Sequence, residues 1–176
     1  MSIGDTYLKS VIKRLDYYKG LCDKTFEQLN EDDFYFKPDA ENNSIAIIIQ
    51  HMAGNMLSRW TDFLTADGEK KWRNRDTEFE EQQLTKQQLI DFWNKGWACC
   101  LIMLRSLTED DLLKTIHIRN EAQVVIDAIN RQLAHYPYHT GQIIYIVRII
   151  KKEKWKTLSI AKGQSVQYNQ QLQSKS

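Results

Sequence analysis

Four stretches of this 176-residue chain repeat apolar residues at helical spacing, and that repetition leaves few folds open. Leu8, Val11, Ile12, Leu15, Tyr18, Cys22, Phe26 and Leu29 follow the i, i+3, i+4, i+7 stripe and predict an amphipathic helix over about residues 5–29. Ser44 is of the N-cap type and precedes a second helix reaching about residue 64. Ile45, Ile49, Ala53, Met56, Trp60 and Phe63 form one face of it, and His51 points away with Ile48, Asn55, Ser58 and Asp62. Thr85-x-x-Gln88 reads as a capping box, with Leu84 and Leu89 as its hydrophobic staple. The stripe of this third helix is Leu89, Trp93, Trp97, Cys100, Leu104 and Leu107. A fourth helix runs over about residues 125–152. Only two prolines and seven glycines interrupt the chain, which suits an all-α fold. The expected architecture is a four-helix bundle.

The connections carry their own signals. Residues 30–43 hold Asp32-Asp33, Pro38-Asp39 and Asn42-Asn43 and read as a loop. Residues 65–83 form a long polar crossover, and its Trp72 and Phe79 imply that it packs down on the bundle. Residues 114–119 alternate, with Ile116 and Ile118 on one side, and predict half of a small β-hairpin turning at Asn120-Glu121 before the last helix. From about residue 161 the chain is a polar, Gln- and Ser-rich tail expected to fray. Nothing marks a linker or a repeat, so residues 1–176 read as a single domain burying roughly 70% of its unfolded surface.

Net charge is +1 with the signs interspersed, which argues against a nucleic-acid partner. No apolar run approaches the ~18 residues of a membrane span, and the first residues lack a basic-then-apolar leader. Cys22, Cys99 and Cys100 are odd in number and make no CxxC pair, the usage of a reducing cytoplasm. They sit on or near core stripes and are expected to be inert.

His135-Tyr-Pro-Tyr-His139 places two imidazoles one turn apart on one face of the fourth helix. The Ile and Val residues that follow require this helix to be largely buried. Imidazole is the commonest protein ligand of transition metals, and bundles build metal sites from facing helices. His51 on the second helix completes a candidate triad with His135 and His139. Three nitrogen ligands leave coordination positions open, as catalytic sites do. By spacing alone, the same residues also fit ordinary surface or core histidines. Pro137 removes an amide donor between the two, so a kink there would change how the rings converge.

Asn43-Ser44-Ile45, His51-x-x-x-Asn55 and His135-x-x-x-His139-x-Gly141-Gln142-Ile143 resemble the DinB/YfiT-like family of bacterial four-helix-bundle metalloenzymes. The likeness extends through Trp155-Lys-Thr-Leu-Ser159-Ile160 and is greatest to an uncharacterised branch. The resemblance implies one divalent ion on His51, His135 and His139, zinc or nickel foremost, and commonly a homodimer. Imidazole suits iron as well. It also implies a transferase that uses a low-molecular-weight thiol, in detoxification or stress response. A metal-dependent hydrolase and a non-catalytic metal- or ligand-binding bundle are the alternatives.

Helical spacing offers Asn55, one turn after His51, and Gln142, on the face of His135, as acceptors for the ligands' other ring N–H groups. Arg131, Arg73 and Arg75 are candidates to hold an anionic small-molecule substrate. No catalytic acid or base stands out; Asp62 and Glu121 are the nearest carboxylates the sequence offers.

Overall fold

A computed structural model describes residues 2–174. Four long helices form the bundle: α1 (Ile3–Phe26), α2 (Ile45–Trp60), α3 (Lys86–Ser106) and α4 (Val125–Lys151). A two-stranded antiparallel hairpin, β1 (Thr115–Ile118) with β2 (Glu121–Val124), lies just before α4. The architecture is therefore helical with one small hairpin. No helix among the described residues is long and apolar enough to cross a membrane.

Each helix end has a local cause. Ser2 caps α1 through a capping box with Asp5, so the helix starts earlier than its apolar stripe indicates and closes at Phe26, not at residue 29. Ser44 Oγ accepts from the Ile47 N–H at the start of α2, and Thr85 and Gln88 cap α3 reciprocally. Helix α2 stops at Trp60, short of residue 64, because Thr61 is extended and Asp62 turns left-handed at φ 48°. The hairpin turns at Arg119-Asn120, one residue earlier than expected, and both residues have positive φ, as a two-residue type I′ turn requires. The polar tail is not featureless: Ser165–Gln173 forms a short, fully exposed helix α5.

Helix α2 is the centre of the bundle. Ile45, Ile47, Ile48 and Ile49 are all buried, so its first turns are covered on every side. It packs so closely on α3 that a Cβ at Gly96 would come within 2.9 Å of the Ala53 Cα. The deepest layer is aromatic: Trp60, Trp93, Trp97 and Tyr136 are each essentially inaccessible. Trp60 Nε1 donates to Tyr136 Oη at 2.9 Å, which in turn donates to Asn55 Oδ1 at 3.2 Å.

The crossover from α2 to α3 is pinned at three places. Ser58 Oγ donates to the Gly68 carbonyl and accepts from the Lys70 N–H. Gly68 N–H donates to the His117 carbonyl of β1 at 2.8 Å. The Asp67 carboxylate accepts from the N–H groups of Glu69, Arg119 and Asn120 at 2.7–2.9 Å, tying the crossover to the hairpin tip. Beyond these anchors, a 3-10 turn at Asp76–Phe79 lies against α2.

Candidate metal centre

His51 lies on the buried side of α2 at 6% exposure, and His135 and His139 reach toward it from α4. His51 Nε2 lies 3.2 Å from His135 Nε2, and His139 Nε2 lies 3.1 Å from the same atom. One ring nitrogen from each histidine lies within 4.8 Å of the other two. Nitrogens bound to a single ion at ~2.1 Å stand about 3.4 Å apart in a tetrahedral site, so this spacing fits a shared cation. Helix α4 continues through Pro137 to Lys151, and the two rings that flank it still converge.

The far side of each ring faces an acceptor. His51 Nδ1 meets Glu78 Oε2 at 3.0 Å, His135 Nδ1 meets Gln132 Oε1 at 3.3 Å, and His139 Nδ1 meets Gln142 Oε1 at 2.7 Å. An N–H on each Nδ1 satisfies those acceptors and leaves three bare Nε2 lone pairs aimed at one point. Three neutral imidazoles in that arrangement repel one another unless a cation sits between them. Protonation is an unfavourable alternative. Burial first, then the neighbouring His139 and His51, hold His135 down at about 3. Burial also lowers His139, although its contact with Gln142 works the other way. The donor set thus fits a divalent metal.

Glu78, which the sequence pattern did not single out, is the pivot of the surroundings. Burial alone would raise its carboxyl, but hydrogen bonds from Arg73 and His51 hold it below the usual carboxylate range. Arg73 grips it with two parallel contacts, Nε to Oε1 at 2.7 Å and Nη2 to Oε2 at 2.8 Å. Gly54 makes room for this carboxylate, since a Cβ there would overlap it. Phe79 completes the cover, its ring 4.9 Å from that of His51. Glu78 comes from a single 3-10 turn with no apolar periodicity, so nothing in the pattern marks it, and Phe79 was legible only as an aromatic that packs the crossover down. Gln132, three residues before His135, was within reach of the same helical geometry that singled out Gln142.

The contacts of Asn55 and Arg73 correct two expectations about the surrounding residues. Asn55 does not hold His51; its amide accepts from Tyr136. Gln142 serves His139, and the His135 position is taken by Gln132. Arg73 is committed to Glu69 and Glu78 and is not a free cation for substrate. Arg75 lies over the Phe79 ring at 4.9 Å. Arg131 is exposed, one turn before His135, with no carboxylate paired to it among the described residues. Burial pushes the Cys22 thiol up to about 12 and Cys100 well above its ordinary value, so neither is a ready nucleophile. Asp62 and Glu121 are exposed and lie outside the hydrogen-bond set of the three rings.

A family described as "Protein of unknown function (DUF1572)" matches residues 2–164. Among solved structures, the chain is similar to a DinB-like protein, YjoA, from Bacillus subtilis. The two are 14% identical, with a TM-score of 0.64 over 84% of this chain and 96% of that one, a likeness of fold. No curated protein sequence matches the chain.

Proposed function

The chain belongs to the DUF1572 family, a DinB-like family, and on that premise we propose that it is a metal-dependent transferase acting with a low-molecular-weight thiol. One observation supports the metal part of this reading, while the thiol chemistry rests on the family resemblance: three Nε2 atoms converge while every Nδ1 is taken by an acceptor on its far side. His51, His135 and His139 would hold one divalent ion, zinc or nickel foremost. Such an ion supplies Lewis acidity and lowers the pKa of a thiol or water in its open positions. The chain's own contribution is positional. Glu78 and Arg73 fix the His51 ring, Gln132 and Gln142 fix the other two, and Phe79 shields one side from water.

Metal analysis of untagged protein is expected to give about one divalent ion per chain, and His135→Ala or His139→Ala should abolish it. Turnover of an electrophile is expected to require both a small thiol and the metal, and to stop when a chelator is added. Equal turnover by stripped and loaded protein would remove the metal from the chemistry. Chelator-sensitive ester cleavage without any thiol would replace the transferase by a hydrolase.

A further inference from the structure

Among the described residues, Arg59 is the one buried cation whose position neither the bundle nor the metal site accounts for. It follows His51 and Asn55 at intervals of four residues and so continues the same row of α2, two turns along. Only 3% of its surface is exposed, and its Nε and Nη1 atoms are buried with no hydrogen-bond partner. The Gly68 backbone lies against the guanidinium: a Cβ there would come within 2.7 Å of Nη1.

Neighbouring carboxylates do not resolve the deficit. Glu69 is engaged by Arg73 and Arg119, and Glu78 by Arg73 and His51. Arg131, Arg73 and Lys70 act on Arg59 unfavourably, and the groups acting in its favour are the Tyr136 hydroxyl and Glu69, whose carboxylate is already shared by Arg73 and Arg119. The Arg59 charge also reaches His135. Buried guanidinium groups are retained where a carboxylate or phosphate completes them, because the fork donates two parallel N–H bonds to a pair of oxygens. An uncompensated charge in the interior is otherwise selected against.

We propose that Arg59, assisted by Arg131 from α4, is the receptor for an oxyanion group of the ligand that reacts at the three-histidine centre. The assignment narrows the ligand to a small molecule bearing a carboxylate or phosphate. It rests on the proposed reading only in taking the histidines as the reacting centre.

Thermal melts of the full chain test it, with and without zinc, in acetate, inorganic phosphate or chloride at matched ionic strength. The metal-free arm matters because no cation is then present to recruit the anion itself. A saturable rise in melting temperature is expected with acetate or phosphate but not with chloride. The more effective anion distinguishes a carboxylate ligand from a phosphate ligand. Arg59→Met should weaken the apparent affinity roughly tenfold or more, and Arg131→Gln should weaken it less. Identical melts of the wild-type chain in all three anions, in both forms, overturn the proposal, and that comparison needs no variant to fold. Failure to take up zinc would sink the metal reading alone, since the metal-free arm still reports on Arg59.

Discussion

His135 shows how a single side chain couples the site to the solution. Its imidazole is held at about 3 by burial and by the two neighbouring histidines, against an ordinary value of 6.5. Between those two values the unfolded chain binds a proton that the folded, metal-free chain refuses. The neutral ring's contribution is therefore complete above about pH 6.5 and is lost as pH falls toward about 3. Urea unfolding of the stripped protein should show stability falling from about pH 7 to about pH 4, more steeply than in a His135→Gln variant. Parallel curves for the two proteins would dismiss this account. His135 and His139 were legible as a pair because helical spacing puts them on one face, whereas His51, on another helix, joined them through the bundle geometry and the family resemblance. Their partners were legible only in part. Gln132 and Gln142 obey the same spacing, whereas Glu78 approaches from a segment whose path depends on anchors at Ser58 and Asp67.

The helices were readable wherever capping chemistry and apolar period agreed. Thr85 with Gln88 and Ser44 with Ile47 start α3 and α2 where the sequence places them. Disagreement arose where a backbone conformation, not a side-chain pattern, ends the element: Asp62 closes α2 early, and Arg119-Asn120 shifts the hairpin turn by one residue. Pro137 is instructive in the opposite sense. Interior proline normally bends or breaks a helix, yet α4 carries it between two residues whose rings meet 3.1 Å apart at Nε2. Helix α2 earns its all-round apolar character by lying at the middle of the bundle, which a wheel drawn for one helix cannot reveal.

At the scale of the whole molecule, that burial changes the case for a dimer. The apolar surplus of α2 is largely consumed inside one chain, by α3 and by the turn carrying Glu78 and Phe79. What remains is a groove of about 440 Å³ lined by Leu57, Phe92 and the 61%-exposed Trp72, among others. A two-fold dimer stays our proposal, and this groove is the surface that supports it. Light scattering should then give twice the 20.8 kDa chain mass; a single-chain mass at micromolar concentration would discard the dimer. The staple at Asp67 has a consequence of another kind, one of rates. Its carboxylate gathers three N–H groups from two separate segments, and the crossover it holds down carries the cover of His51. An ion seated behind that cover can leave only as fast as the segment lifts. Loosening the staple speeds departure and arrival alike and leaves their ratio nearly unchanged. Stopped-flow capture by a chelator should show Asp67→Ala releasing zinc on the order of tenfold faster at similar affinity. An unchanged release rate would mean that the ion escapes by another path; with the staple intact, the centre should be kinetically inert.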